Sequence, residues 1–424
     1  MNSFQTLLIF GLSIAVALLS GAFRSHDLFA GEPPAKASTF KIETPKGVCE
    51  AFTLDATANI CVCGQTNGSI KGFTNQGGSD AFVIKCDSNN RQQWVLQWGS
   101  TRNDVAVSVA ADGCGGVYVT GNASDTEIGD SVGFIGRIDA NGNMQWCREC
   151  TVFAKLTVCR EVCVDPDGFV YVVGDSRRDS GSSVCGFVRK HAADGTPVWT
   201  QTIGNQTSAQ AIFLRVATVD RNGSSYIAGD VFGGLNDEPG FGHSDGMAAS
   251  YDSDGNLRFV RHWGTTGDDY VKGMSIDDDE NLFVCGNSLT TDRPDRLTAE
   301  EALNRGSEIF GSDSFERELS SFVRMYDRGG TLQYELIIPD RENAYRVVAD
   351  SRGSFYLGRD RTFSKHSSSD GQEIWRDTLN TGLGGIVGLA LDQKAGLVVI
   401  GSAPPIRPSE WVGHGGIVVR YARE

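Results

Sequence analysis

A four-strand unit that recurs along the chain constrains its fold more than any other feature of the sequence. The clearest copy runs from Asp80 to Gly121, DAFVIKCDSNNRQQWVLQWGSTRNDVAVSVAADGCGGVYVTG. Phe82 and Trp94 sit on two short alternating runs joined by the polar turn CDSNN, the pattern of a β-hairpin. A second hairpin follows, with arms VAVSVAA and VYVTG around DGCGG, bracketed by Asp112 and Gly121.

These markers recur at fixed spacing. Phe82/Trp94, Phe134/Trp146, Phe187/Trp199, Met247/Phe259, Phe322/Tyr334 and Phe363/Trp375 are each 12 residues apart. An Asp and a later Gly recur as Asp55/Gly64, Asp112/Gly121, Asp165/Gly174, Asp220/Gly229, Asp277/Gly286, Asp350/Gly358 and Asp392/Gly401, 9 apart in six copies and 8 in one. Seven Asp/Gly hairpins therefore face six complete aromatic ones. The missing hairpin is supplied by the two ends: GGIVVRYARE (Gly415–Glu424) matches its first arm, and STFKIE, with Phe40 in the Trp slot, its second. A repeat split between the termini closes a ring and removes open sheet edges. The expected fold class is all-β: a seven-bladed β-propeller of four-stranded antiparallel blades, closed by an N-terminal outer strand on the C-terminal blade.

The repeat strings resemble the seven-bladed β-propeller repeat family, the SBBP repeats. The best matches are SDAFVIKCDSNNRQQW (Ser79–Trp94), GFIGRIDANGNMQW (Gly133–Trp146) and YDSDGNLRFVRHWGTTGDDY (Tyr251–Tyr270), and the likeness covers nearly everything from Phe40 to Glu424. It implies a propeller on a secreted or surface protein and no particular activity. The fifth and sixth copies depart most, with Pro339 and Asp340 replacing a glycine-led loop and Ser368 where Asp is usual.

Closed all-β folds run long as single domains, so 424 residues with 52 Gly fit one propeller domain over 39–424, interrupted by an insertion at 289–319. Ahead of it, GEPPAKAS (31–38) reads as a linker, and residues 1–30 as a signal peptide or N-terminal anchor built on the apolar run Leu7–Phe23. Cleavage after Ala22 or Ala30 gives a secreted, periplasmic or cell-envelope protein, expected as a monomer with no membrane span. A net charge of −15 argues against nucleic acid and anionic membranes as partners.

Turns within hairpins share one face of a propeller, and links between hairpins share the other. The first kind has constant spacing. The second varies: Gly64 to Phe82 is 18 residues, Gly286 to Phe322 is 36 and Gly358 to Phe363 is 5. Variable loops on a rigid scaffold are where binding sits. The stretches 65–80, 230–245, 287–320 and 402–415 are therefore the candidate face, with Trp411, His243, His414, Glu301 and Arg305 as candidate contact residues. Thr298 and Glu301 form a capping box that predicts a short helix over about 299–305, stopped by Gly306.

Other motifs read as structure. GHSDG (Gly242–Gly246) matches a nucleophile elbow in letters only, because Ser244-Asp245 aligns with Ser79-Asp80 and leads into a strand. The Asp/Asn-rich turns at Asp139, Asp252 and Asp277 have the wrong length and Gly position for an EF-hand and read as hairpin turns, with weak calcium binding as the alternative. No cofactor or metal site is predicted; Cys147, Cys150, Cys159 and Cys163 have zinc-like spacing but fall on separate strands. Of eleven cysteines, most occupy interior strand slots as small hydrophobes, with Cys49–Cys63 and Cys150–Cys159 as the candidate disulfides. The leading function is a binding scaffold for a protein or glycan without catalysis of its own. The alternatives are a hydrolase or lyase with a site at the channel mouth, and a purely structural envelope component.

Overall fold

The computed structural model describes residues 32–125, 130–153, 156–177, 183–204, 210–235, 238–290, 318–339, 341–379, 386–392, 396–402 and 416–422. The first strand is β1 (Lys36–Ile42), so part of the stretch read as linker is already ordered in a sheet. The next sheet holds β2 (Gly47–Leu54), β3 (Ile60–Thr66), β4 (Asp80–Cys86) and β5 (Gln92–Trp98). Another holds β6 (Asn103–Ala111), β7 (Val117–Asp125), β8 (Asp130–Ile138) and β9 (Met144–Glu149). Then come β10 (Leu156–Val164), β11 (Val170–Arg177), β12 (Val184–His191) and β13 (Pro197–Ile203), followed by β14 (Ala211–Val219), β15 (Ser225–Phe232), β16 (Asp245–Tyr251) and β17 (Leu257–Trp263). The strands β18 (Asp268–Ile276), β19 (Leu282–Thr290), β20 (Glu318–Tyr326) and β21 (Leu332–Ile338) form a further sheet, as do β22 (Ala344–Ala349), β23 (Ser354–Arg359), β24 (Thr362–Ser367) and β25 (Glu373–Thr378). The last strands, β26 (Ile386–Asp392), β27 (Gly396–Ser402) and β28 (Gly416–Tyr421), are completed by β1, which pairs antiparallel with β28 and sets Phe40 opposite Val418.

The expectation of seven separate blades is corrected by this hydrogen bonding. The strands form six sheets, five of four strands and one of eight that joins β10–β13 to β14–β17. The cause is local. Val184 at the start of β12 lies parallel to Ala211 at the start of β14, and its N–H donates to the Gln210 carbonyl at 3.1 Å. Elsewhere the same kind of contact falls just outside the strands and merges no sheets: Asp104 N–H donates to Ser79 O (2.8 Å) and Gly78 N–H to Arg102 O (3.1 Å), and the parallel bridge between Ser244 and Asp268 leaves Ser244 ahead of β16. The architecture is a propeller-like array of antiparallel sheets whose inner strands touch in sequence, with β26 meeting β2 to close the circle.

The recurring residues are explained by this packing. The marker Asp closes its own turn, as Asp112 shows: its N–H donates to Gly116 O (3.0 Å), while its Oδ1 accepts from the N–H groups of Cys114 and Gly116 (both 2.8 Å). The marker Gly sits under a carbonyl of the inner strand at Gly64, Gly121, Gly174, Gly229 and Gly286. A Cβ at Gly121 would lie 1.9 Å from Val105 O and 2.6 Å from the Phe134 ring, so no side chain fits. Phe82, fully buried, fills the matching place beside Gly64, where complete burial of such a side chain is worth about 1.5–3 kcal/mol. The apolar cores lie between neighbouring sheets. Ile60, Val62 and Ile84 face β27 and β28, whereas Cys61, Cys63 and Val83 face β6 and β7, the alternation expected of strands buried on both sides.

Candidate functional site on the loop face and the axis

Every inner strand whose register is described carries a β-bulge at the same place, between Cys49 and Ala51, Ala106 and Ser108, Cys159 and Glu161, Leu214 and Val216, Val271 and Gly273, Ala344 and Arg346, and Ile386 and Gly388. A bulge re-aims its extra side chain, and around these bulges charges on different inner strands act on one another, Arg215 and Arg346 on Lys272 and Arg346 on Glu161. The bulged residues include Glu50, Arg160, Arg215 and Lys272, all half-buried. Arg346 and Glu161 follow the bulge on their strands.

The charges are arranged in pairs with the adjacent strand. Arg160 Nε reaches Asp175 Oδ1 at 3.1 Å, Arg215 Nε reaches Asp230 Oδ2 at 2.7 Å, and Gln65 Nε2 donates to Glu50 Oε1 at 3.3 Å. Arg346 donates through Nη1 to Lys272 O at 2.9 Å. Burial pushes the carboxyl groups of Glu50 and Glu161 above the ordinary glutamate value, although a hydrogen bond from Gln65 opposes this at Glu50 and the Arg346 charge opposes it at Glu161. Burial holds Lys272 below the ordinary lysine value, with Asp230 opposing and Arg215 and Arg346 reinforcing. The cations Arg160, Arg215, Lys272 and Arg346 thus lie on the consecutive inner strands β10, β14, β18 and β22, with the acids Glu161 on β10 and Glu50 on β2.

Sequence reasoning missed these residues although a signal existed. Each bulged position lies five residues before a marker Asp, as Arg160 does before Asp165 and Lys272 before Asp277. A charge inside an otherwise apolar strand at a repeated offset is that signal.

The second polar centre lies on the loop face around the start of β16. Asp245, fully buried, accepts from the N–H groups of Phe241 (2.9 Å) and Gly242 (3.0 Å), and His262 Nε2 lies 3.3 Å from its Oδ2. Phe241 packs edge-on against His262 with ring centroids 5.2 Å apart. Beside them His243 Nδ1 faces Asp268 Oδ1 at 3.7 Å. The candidate contact residue His243 is therefore largely buried, at 8 % exposed. Asp269 accepts from Thr265 N–H (2.6 Å) and from Ser288 Oγ (2.5 Å). Ser244 is fully buried with its hydroxyl directed at Asp269 O (3.4 Å), so it is a structural residue, as its alignment with Ser79 implies.

The other candidates on this face, Trp411, His414, Glu301 and Arg305, lie outside the described residues, as does the capped helix over 299–305. On the opposite face the acidic turns are occupied by their own hydrogen bonds. Asp139 Oδ1 takes Asn141 N–H and Asn143 N–H at 2.9 Å each, and Asp252 and Asp277 repeat the pattern. Among the described residues no group of three or more His, Cys, Asp or Glu side chains is arranged to hold a metal ion. No helix among them is long and apolar enough to cross a membrane.

None of the eleven cysteines is disulfide-bonded in this structure. The bridge between Cys49 and Cys63 is corrected: Cys49 pairs across the strands with Gly64, not Cys63, and the two side chains enter different cores on opposite faces of the sheet. Cys150 and Cys159, in contrast, share one core.

No family model matches the chain, so the resemblance to SBBP repeats rests on the repeat strings alone, and no curated protein matches it. Solved structures do. The WD40 repeats of RRP9 superpose with a TM-score of 0.57 at 8% identity, covering 92% of this chain and 99% of theirs. Quinohemoprotein alcohol dehydrogenase from Comamonas testosteroni gives 0.51 at 11% identity over 91% of this chain and 76% of its own. Streptogramin B lyase gives 0.51 at 9% identity over 90% and 97%. At such identities the likeness carries the fold and no activity. By fold, the chain is similar to β-propellers.

Proposed function

We propose that the protein is an exported binding scaffold, a divergent relative of the SBBP repeat proteins, which recognises a protein or glycan through its loop face. One observation carries the reading. The hairpin turns of one face are closed on themselves, each Asp carboxylate taking its own turn's N–H groups, whereas the loops of the other face differ from copy to copy and surround a buried His/Asp centre at His243, His262, Asp245 and Asp268. A rigid scaffold with one invariant and one varied face suits recognition. The net charge of −15 favours a neutral or basic partner.

The test is a binding screen of the purified protein against immobilised envelope proteins and polysaccharides. Replacing 289–319 with a short loop, and separately Trp411→Ala, should weaken any interaction at least tenfold. If every interaction found survives both changes, the loop-face reading fails.

A second reading, a hydrolase or lyase working at the channel mouth, is favoured by the axis. There, burial biases the Glu161 carboxyl toward its protonated form and Lys272 toward its neutral one, and such groups suit acid–base work. Turnover of any ester, glycoside or uronide that disappears in Glu161→Gln would replace the binding reading with this one.

A further inference from the structure

We propose that Cys150 and Cys159 are a disulfide site, which ties the end of the outermost strand of one sheet to the inner strand of the next. Both residues are fully buried and lie in a single core with Ile135, Val172 and Phe187. Each is fixed by its backbone. Cys150 N–H donates to Gly133 O at 2.7 Å. Cys159 is held on both sides by Asn122, whose Oδ1 accepts its N–H at 2.8 Å and whose Nδ2 donates to its carbonyl at 2.9 Å.

Gly133 makes the room for them. A Cβ there would lie 2.5 Å from Cys159 Sγ and 3.2 Å from Cys150 O, so the absent side chain is what lets the Cys159 thiol approach Cys150. Each thiol is the strongest electrostatic influence on the other. No other cysteine pair has this combination of shared core, fixed backbones and mutual thiol influence among the described residues.

The pair is also chemically polarised. Burial pushes the thiols of Cys61 and Cys285 up to about 12. Cys150 moves the other way, because Cys159 stabilises its thiolate against the opposing effect of burial, while Cys159 is itself pushed up. A lowered thiol beside a second thiol is the attacking and resolving arrangement of thiol–disulfide exchange.

The oxidant is a low-molecular-weight disulfide such as glutathione disulfide, met while the chain folds and the site is still open. The Cys150 thiolate attacks one sulfur of the oxidant, forming a mixed disulfide and releasing one glutathione thiolate. Cys159 then gives its proton to solvent and attacks Cys150 Sγ, releasing the second glutathione. Two protein thiols are oxidised by two electrons, and one glutathione disulfide is reduced to two glutathiones.

Trypsin cuts after Arg148, Lys155 and Arg160, which places the two cysteines on separate peptides, Glu149–Lys155 and Leu156–Arg160. The full chain would be reduced, denatured, refolded in a glutathione redox buffer, blocked with iodoacetamide and digested without reduction. The expected product is these two peptides joined, two hydrogen masses below their sum, and split by reductant. Recovery of both peptides alkylated, or of either joined to a different cysteine, overturns the proposal. In Cys159→Ala the reaction should stop after the first attack, leaving glutathione on Glu149–Lys155. Should that peptide come back only alkylated while the wild type links, the order of attack is overturned.

Discussion

Trp94 lies over Gly142 of the neighbouring sheet and donates from its indole Nε1 to the Ala140 carbonyl at 2.9 Å. The relationship repeats around the molecule. Trp146 covers Gly195, Trp199 covers Gly255 with its own bond to Ser253 O (3.0 Å), and Phe259 covers Gly330. The second aromatic marker of each copy is thus a clamp on the next copy's outer turn, and the glycine is the surface it needs. Gly142 has φ +85° and an added Cβ there would lie 2.9 Å from Trp94, whereas Gly168 has φ +84° with nothing within 4 Å. Gly168→Ala should therefore cost only the left-handed backbone penalty, about 1–2 kcal/mol. Gly142→Ala should cost clearly more in urea unfolding, and equal losses would disprove the clamp.

Asn122 bridges two sheets by holding both the N–H and the carbonyl of Cys159, and Asn287 does the same to Ala344 (2.7 and 3.3 Å). Removing one side chain leaves buried backbone groups without partners, each worth about 1–3 kcal/mol. Asn122→Ala is expected to lose about 2–4 kcal/mol of unfolding free energy. Asn122→Asp, which keeps the acceptor for Cys159 N–H, should lose less. Denaturant melts of the two variants decide this, and a reversed order would count against it.

Tyr334 stands where four other copies have Trp. A cavity of about 300 Å³ opens beside it, lined by Asn281, Met325, Asp327, Gln333 and Ser368. The hydroxyls of Tyr334 and Ser368 have no protein partner there. Tyr334→Trp fills part of this space with an indole over Gly371 and is expected to stabilise the protein by about 0.5–2 kcal/mol. A calorimetric scan showing a lowered melting temperature would refute the comparison with Trp94.

His366 is 2 % exposed and stacks on Phe355 with centroids 4.9 Å apart; its Nδ1–H donates to Gly371 O (3.0 Å) and its Nε2 accepts from Ser364 Oγ (2.7 Å). Burial lowers its pKa from the ordinary value of 6.5. Below that value the unfolded chain binds the proton more readily than the folded one, so unfolding free energy rises with pH in this window. The contribution is complete above the unfolded value and is lost as pH falls from it toward the depressed folded value. Wild-type protein should lose more stability than His366→Gln between about pH 7 and about pH 5 in urea titrations. Parallel losses would show that another group governs the acid limb.

Strand positions were legible because a marker pair 12 residues apart demands a hairpin wherever it occurs, and 28 strands are found among the described residues. The axis was not legible. Alternation along β10 or β14 assigns Arg160 and Arg215 no special direction, whereas the register of the folded sheet makes each of them the extra residue of a bulge. His243 was placed on the loop face by its position in the chain, but the residue that faces it, Asp268, comes from another sheet and could not be read from that position.

By itself the sequence determined a repeating antiparallel β architecture, its turn chemistry and which face of it varies, since those depend on residues within about a dozen positions of one another. Only the tertiary structure decided how many sheets the strands form, because one parallel contact between Val184 and Ala211 merges two sets of four. It also decided which charges meet at the axis and which thiols meet at Gly133. Those contacts join neighbouring sheets, and their geometry is set by how the sheets pack around the circle rather than by any local pattern.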